Sequence, residues 1–183
     1  MEIRPATDAD IPAITEIYRP AVATGTASFE LTPADEAEMR RRFTVITEAG
    51  YPYVVAVIDG VVAGYAYASA YRTRPAYRFT VENSIYVAPG FQGRKVGSAL
   101  LGRLISDCTD RGFRLMIAVI GDSANFASIS LHRRAGFHFS GVLHGVGYKF
   151  GRWLDSVQME LPLGQGENIP PEESQLPLPL QLG

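Results

Sequence analysis

The segment LMIAVI, residues 115–120, constrains the fold more than any other part of the sequence, because it has no polar position. A strand of this kind has no face for water, so it is expected to be covered on both sides. An amphipathic helical pattern from about Val96 to Asp110 precedes it and closes at Arg111-Gly112. Before that helix comes another strand pattern, TVENSIYV at 80–87. This order predicts a mixed α/β sheet with helices on both faces.

The remaining elements follow from the same patterns. A short strand is predicted at residues 2–6, and a helix capped within 7–10 carries Ile11, Ile14 and Ile17 on one face. A second helix is predicted from Thr32-Pro33 to about residue 50. Residues 51–71 form a β-hairpin around Asp59-Gly60. A short helix from 125 to 135 and two final strands, near 138–149 and 153–161, complete the prediction.

Length and composition indicate one domain and exclude several classes of protein. The chain has 183 residues, 46% of them hydrophobic, which suits a single core at residues 1–161. Residues 162–183 are rich in proline and lack periodicity, so they are predicted to be a disordered tail. The net charge of −2 gives no basic surface for nucleic acid, and no run of about 18 apolar residues suggests a membrane span.

The single cysteine, Cys108, excludes an intramolecular disulfide and fits a reducing cytoplasm, where we expect the protein to be. The first fourteen residues contain no apolar core of a secretory signal. The three histidines have no spacing that would place two of them with a carboxylate around a metal, so no metal is expected. A G-x-S-x-G elbow is also missing.

The loop QGRKVG at residues 92–97 joins the strand at 80–87 to the following helix. The first backbone N–H groups of a helix lack partners, so this junction is a generic anion site, with Arg94 and Lys95 adding positive charge. Neither the P-loop pattern nor G-x-G-x-x-G is present. The loop alone leaves a solvated basic turn as an equal alternative.

Residues 80–136 resemble the acetyl-CoA-binding core of the GCN5-related N-acetyltransferase (GNAT) superfamily. Gln92 and Gly97 fit its Q-x-x-G-x-G loop, in which Lys95 replaces the first glycine, and Asn125, Ser128 and His132 fit its N-x-x-[AS]-x-x-x-[YH] motif. Four further stretches look like the phosphinothricin/methionine sulfoximine acetyltransferase branch. They are TGTASFELTP at 24–33, YRTRPAYRFTVENSIYV at 71–87, AVIGDSANFASISLHRRAGF at 118–137 and VGYKFGRWLD at 146–155.

The resemblance implies the GNAT fold, an α/β (α+β) architecture with a central mixed, mostly antiparallel sheet of about seven strands. It implies an enzyme, an acyltransferase with acetyl-CoA as co-substrate, which acetylates the α-amino group of phosphinothricin, methionine sulfoximine or methionine sulfone in a ternary complex. It also implies a homodimer and a role in detoxification. The implied cofactor-binding residues are Ile85, Tyr86, Val87, Gln92, Gly93, Arg94, Lys95, Val96, Gly97, Ser98, Asn125 and Ser128. Lys95 is expected to adopt ordinary helical dihedrals there.

Amine acetylation needs a base, because an α-ammonium is mostly protonated near neutral pH. The resemblance assigns that role to Glu82, where partial enclosure would raise the pKa of the carboxyl. Residue type alone leaves open a carboxylate that faces solvent or pairs with Arg78. His132 is implied as the acid for the leaving thiolate. It could instead be a surface histidine near the phosphates, and Asn125 could be no more than a helix cap.

The implied acceptor-binding residues are Phe29, Arg72, Thr73, Arg74, Glu82, Asn83, Ser84 and Lys149. Arginine side chains in the 72–78 connector suit a substrate carboxylate, although loop arginines are often only solvated. Phe29 and Tyr71 could wall a pocket or belong to the core, and Trp153 could lie near the acceptor, near a partner subunit or in the core. Two other functions remain open. One is acetylation of a protein N-terminus, polyamine or aminoglycoside, and the other is acyl-CoA binding without catalysis.

Overall fold

The structure is a computed structural model that describes residues 1–171 of the chain. One sheet contains seven strands. They are β1 Glu2–Pro5, β2 Tyr53–Ile58, β3 Val61–Ala70, β4 Thr80–Val87, β5 Leu115–Gly121, β6 His138–Lys149 and β7 Arg152–Pro162. The α-helices of this part of the chain are α1 Ile11–Ala23, α2 Glu36–Glu48, α3 Val96–Asp110 and α4 Phe126–Arg134. None of these helices is long and apolar enough to cross a membrane.

The strands lie in the order β1-β2-β3-β4-β5-β7-β6. Every neighbouring pair is antiparallel except β4 and β5, which are parallel and are connected through α3. A parallel pair needs such a crossover connection. The predicted mixed, mostly antiparallel sheet of about seven strands is therefore confirmed.

Helices cover both faces of the sheet, as the sequence predicts. On β4, the ring of Tyr86 contacts Tyr18 of α1, with ring centroids 5.0 Å apart. The next residue, Val87, approaches the first turn of α3 at Gly97. Because successive side chains of a strand point to opposite faces, α1 and α3 lie on opposite sides. The core between these layers includes the fully buried β5 residues Met116 and Ala118.

The β2–β3 hairpin turns at the predicted dipeptide. Asp59 and Gly60 both have positive φ, 51° and 79°, and Ile58 pairs directly with Val61. Positive φ at both central positions is the requirement of the two-residue turn that matches strand twist.

The predicted start of the second helix at Thr32-Pro33 is wrong. Helix α2 begins at Glu36, and the Asp35 carboxylate accepts a hydrogen bond from the backbone N–H of Glu38 at 2.8 Å. An aspartate cap of this kind satisfies a backbone donor of the first helical turn.

The strands β4 and β5 pair only over a short distance and then part. Thr80–Asn83 pair with Leu115–Ala118, whereas β4 continues to Val87 along β3 and β5 continues to Gly121 along β7. The facing edges of residues 84–87 and 119–121 are therefore not joined to each other. This divergence opens the sheet at the carboxyl ends of its two parallel strands.

At the carboxyl end, packed structure reaches past the predicted boundary at residue 161. Strand β7 ends at Pro162, and Leu163 is buried, with its backbone N–H donating to the carbonyl of Arg114 at 2.9 Å. The prediction of disorder for the tail falls mostly on residues 172–183, which lie outside the described residues. It stays a prediction.

Candidate active site

A cleft of about 930 Å³ lies in the gap between the diverging strands β4 and β5. It brings together residues that are far apart in the sequence, from the 24–31 segment, β4, the 91–95 loop, α3, β5 and α4. The site residues predicted from the sequence that line it are Phe29, Glu82, Asn83, Ser84, Ile85, Tyr86, Val87, Gln92, Gly93, Lys95, Val96, Gly97, Ser98, Asn125, Ser128 and His132.

The loop before α3 is shaped by two residues in the left-handed region. Gly93 has φ 74°, and Lys95, at the N-cap of α3, has φ 63° and ψ 13°. The expectation that Lys95 adopts ordinary helical dihedrals is therefore wrong. Glycine takes this conformation without cost, whereas a residue with a Cβ is strained by roughly 1–2 kcal/mol. Lys95 thus adopts a backbone conformation that glycine takes without cost, and it adds an ammonium group.

The cleft fits an extended ligand that carries an anion at one end. The side chain of Lys95 does not cap α3, so the first N–H groups of that helix are left to an outside acceptor. The edge of β4 from Ser84 to Val87, which is not paired with β5, borders the same cleft. A strand edge of this kind can bind an amide-bearing chain, so these features suit the pyrophosphate and the pantetheine arm of acetyl-CoA.

Glu82 is the acidic residue of β4 at the cleft. Burial raises the pKa of its carboxyl above the usual value, and the positive charge of Arg72 partly opposes that rise. A carboxylate with a raised pKa accepts protons better near neutral pH. The expectation of a raised pKa at Glu82 is confirmed, while its role as the base stays a prediction.

His132 of α4 is buried, only 4% exposed, so the alternative of a solvated surface histidine is wrong. Its Nε2 lies 3.0 Å from Oδ1 of Asn83, and its Nδ1 lies 2.8 Å from the carbonyl oxygen of Ser128. The Asn83 Nδ2 donates to the Ile117 carbonyl at 3.1 Å. Burial lowers the pKa of His132, against a smaller effect of the Ser128 carbonyl that raises it.

The N-terminus of α4 is capped as the sequence predicts. Asn125 precedes the helix, and its side-chain oxygen accepts a hydrogen bond from the backbone N–H of Ser128 at 3.2 Å. Its other side-chain atoms remain available to the cleft, which Asn125 also lines. The capping role is thus confirmed, whereas contact with a cofactor stays a prediction.

Residues 24–31 form one wall of the cleft, and contacts on the side away from the cleft fix the position of this segment. Lys149 is buried and donates from Nζ to the carbonyl oxygen of Ser28 at 2.8 Å, and the hydroxyls of Tyr18 and Ser28 are 3.1 Å apart. Phe29 packs closely on Gly147. Lys149 does not line the cleft, so the structure places this predicted acceptor residue behind the wall rather than in it.

Several predicted residues lie outside the cleft. Arg72, Thr73 and Arg74 are exposed in the connector before β4, and Arg72 stacks on Tyr71 with 4.6 Å between its guanidinium carbon and the ring centroid. Tyr71 lines a separate smaller cavity instead. The side chain of Arg94 lies over Phe91, 5.1 Å from the ring centroid. Trp153 is 68% exposed, so the alternative that it belongs to the core is wrong.

Sequence reasoning missed six polar residues of the cleft, including Arg134 and Ser156. The other four are Tyr18, Ser28, Glu30 and Tyr67. Their patterns gave no signal, because Tyr18 continues the apolar face of α1 and Tyr67 lies within an aromatic strand. Glu30 is engaged by Arg42 of α2 at 2.6 Å, a contact across 12 residues that spacing alone does not indicate.

Comparison with known proteins agrees with this geometry. Residues 12–137 match the acetyltransferase (GNAT) family. A phosphinothricin N-acetyltransferase from Alcaligenes faecalis is 52% identical over 93% of this chain and 86% of its own length. A methionine sulfoximine/methionine sulfone acetyltransferase from Pseudomonas paraeruginosa is 43% identical over 92% of this chain and 98% of its own length.

A solved structure shows the same fold. The crystal structure of a phosphinothricin acetyltransferase from Sinorhizobium meliloti, in complex with acetyl-CoA, superposes with a TM-score of 0.92 at 52% identity. The match covers 95% of this chain and 94% of that protein. The sheet order, the opening between β4 and β5 and these matches together show that this chain belongs to the GNAT family of acetyltransferases.

Proposed function

We propose that this protein transfers the acetyl group of acetyl-CoA to the α-amino group of small amino-acid analogues such as phosphinothricin, methionine sulfoximine or methionine sulfone. One observation carries the proposal. The same cleft joins a free strand edge and an uncapped helix N-terminus to a partly buried carboxylate whose pKa is raised. The relatives described above act on acceptors of this class, as their names state.

Glu82 serves as the base that makes the acceptor amine neutral, directly or through one water molecule. Its raised pKa brings the carboxyl closer to the pH at which an ammonium must lose its proton. Bound acetyl-CoA supplies the activated acetyl group as a thioester. Backbone groups of residues 85–87 orient the thioester arm, and residues 92–98 hold the pyrophosphate at the start of α3.

The acceptor enters beside the 24–31 wall, where Phe29, Asn83 and Ser84 line the cleft together with Glu82. Its carboxylate needs a cation, and Arg72 lies near enough to Glu82 to influence the pKa of that carboxyl. Arg72 and its neighbours Thr73 and Arg74 therefore form the outer part of the acceptor site. Acetylation removes the positive charge of the amine, and the proposed role of this chemistry is detoxification in the cytoplasm, with herbicide resistance as its result.

The substrate claim is tested by thiol release from acetyl-CoA across a panel of acceptors. Phosphinothricin, methionine sulfoximine and methionine sulfone should release thiol, while a peptide N-terminus, a polyamine and an aminoglycoside should not. Thiol release with only the cationic or peptide acceptors would overturn the proposed substrate class, although the protein would still be an acetyltransferase. Binding of acetyl-CoA in calorimetry with no release on any amine would overturn catalysis itself.

The proposed assembly is a homodimer. Support comes from large apolar side chains exposed along the β6–β7 hairpin, more than a monomer usually leaves in one place. They are Phe139, Leu143, Val146, Tyr148, Phe150 and Trp153. Sedimentation equilibrium should give twice the chain mass, and Trp153→Glu should lower it to the mass of one chain. A monomer at micromolar concentration would contradict the assembly.

A further inference from the structure

His132 and Asn83 form a closed set of hydrogen bonds at the floor of the cleft, where β4 and β5 part. Asn83 is only 6% exposed and belongs to the last residue pair between those strands, opposite Ala118. Its amide bridges Ile117 of β5 and His132 of α4. Buried polar groups in such a network must each be given a compatible partner.

The orientation of the Asn83 amide is fixed by Ile117. The Ile117 carbonyl can only accept a hydrogen bond, so the amide atom 3.1 Å from it must be the nitrogen. The amide oxygen, Oδ1, therefore faces His132 Nε2 at 3.0 Å, and it too can only accept. A flipped amide would place two acceptor oxygens against each other at Ile117.

This orientation decides which ring nitrogen of His132 carries a proton. A hydrogen on Nε2 donates to Asn83, whereas a bare Nε2 would set its lone pair against Oδ1. A bare Nδ1 would also set its lone pair against a carbonyl, that of Ser128, but this carbonyl accepts a backbone hydrogen bond within α4 as well, and the Ser128 hydroxyl offers a donor beside Nδ1. The Ser128 carbonyl at 2.8 Å accepts from a protonated Nδ1, and the Ser128 hydroxyl at 3.4 Å can turn to donate toward a bare one.

We propose that Asn83 is a positioning residue that keeps a proton on Nε2 of His132 in both the neutral and the charged ring. The proton that His132 gains and loses is then the one on Nδ1, on the side of Ser128. The hydrogen-bond partner of one ring nitrogen generally sets the state of the other. Ser128 lines the cleft, so the proton on Nδ1 of His132 lies next to the cleft rather than beneath β4.

Few charges surround the ring. On α4 itself, Arg133 and Arg134 follow His132 and are both exposed. The parts of β4 and β5 at the ring contribute Asn83, Ile117 and Ala118, which carry no charge, and Phe137 covers the ring edge-on with centroids 4.9 Å apart. Glu82 precedes Asn83 and so points to the opposite face of the sheet. Hydrogen-bond partners, not a nearby carboxylate, therefore select the ring state.

The consequence for catalysis rests on the proposed function. In acetyl transfer the leaving thiolate must gain one proton. A charged His132 that loses its Nδ1 proton to the Ser128 hydroxyl, while that hydroxyl passes its own proton to sulfur, leaves the neutral ring with Nε2 still protonated. Loss from Nε2 instead would leave a bare nitrogen against Asn83 and is disfavoured.

The state of the ring is read directly by long-range ¹H–¹⁵N NMR of the full chain labelled with [¹⁵N]histidine. His138→Gln and His144→Gln, at two exposed histidines, assign the His132 signals. At pH above the His132 transition, we expect Nε2 to resonate as a protonated nitrogen and Nδ1 as a bare one. A neutral ring with its proton on Nδ1 would overturn the proposal.

The role of Asn83 is tested with Asn83→Leu, which keeps the shape and removes the amide, and Asn83→Asp, which keeps the acceptor toward His132 but loses the donor to the Ile117 carbonyl. In Asn83→Leu, the proton of the neutral His132 ring should move to Nδ1. This variant should have a kcat about tenfold lower, while its Kd for acetyl-CoA should change by no more than about twofold. Asp should retain the Nε2 proton. An unchanged ring state in Asn83→Leu would show that the amide only joins β4 to β5. This NMR result is independent of the thiol-release panel, so either proposal can fail alone.

Discussion

Phe29 and Gly147 are in such close contact that a Cβ on residue 147 would come within 2.6 Å of the Phe29 ring carbon Cε2. A real Cβ contact is never that short, so Gly147 is the residue that allows the ring to reach its place in the wall of the cleft. The acceptor side of the cleft thus depends on Gly147, a residue of β6 that does not itself line the cleft.

Gly147→Ala should therefore displace the Phe29 ring. We expect overpacking to lower the free energy of unfolding by about 1–3 kcal/mol and to raise the KM of the amino acid more than that of acetyl-CoA. Steady-state kinetics with each substrate varied and thermal unfolding measure the two effects. Gly141→Ala is the matched control, since a Cβ there meets nothing within 4 Å. Equal effects of the two substitutions would contradict the contact.

Glu82→Gln should lower kcat by roughly 10²–10⁴-fold, the usual contribution of a general base, because the amide cannot take the ammonium proton. The Kd of acetyl-CoA, measured by calorimetry, should stay within about twofold. Glu82→Asp, which keeps the carboxylate one methylene further back, should be intermediate. Full activity in Glu82→Gln would mean that the base is another group.

Arg72→Gln should shift the acidic limb of the pH profile of kcat/KM to higher pH. The sign follows from the charges. Arg72 lowers the pKa of Glu82, so its removal lets burial raise that pKa further, and more of the base is protonated at a given pH. Arg72→Lys keeps the charge and should leave the limb in place. A shift toward lower pH would exclude Glu82 as the group that titrates.

Lys95→Gly should raise the free energy of unfolding by about 0.5–1 kcal/mol, because relief of the left-handed strain exceeds the added chain entropy of glycine. Lys95→Ala keeps the strain and should change stability by less than about 0.5 kcal/mol. Both variants lose the ammonium, so both should bind acetyl-CoA more weakly, and more so at low salt. Chemical denaturation and calorimetry check the pair. The left-handed strain is refuted by equal stability of the two variants.

The order of strands and helices could be read from the sequence because local patterns determine it. The Asp59-Gly60 turn requires positive φ, and LMIAVI has no polar position, so each dictates its own structure. The start of α2 was misread because two candidate caps lie three residues apart, and only the hydrogen bond from Glu38 to Asp35 distinguishes them.

The candidate site was predictable only where a motif placed its residues on the backbone. Gln92, Gly97 and Asn125 are of this kind. Lys149 is different, since its ammonium contacts a carbonyl 121 residues away in sequence, and no spacing indicates whether a lysine of β6 faces the cleft or the back of its wall. The contact between His132 and Asn83, 49 residues apart, was likewise not predictable, although both residues were predicted for the site.

The parting of β4 and β5 also has a consequence for amide exchange with solvent. The sheet is joined across its middle by the short ladder of Thr80–Asn83 and Leu115–Ala118. Backbone amides that point from β4 into the gap beyond it have no acceptor on β5 and should exchange their hydrogens quickly. Once a ligand takes the place of the missing strand partner, those amides gain acceptors, and protection from exchange should rise on both sides of the gap. The ligand would then act as an additional strand that couples the stability of the two halves of the sheet.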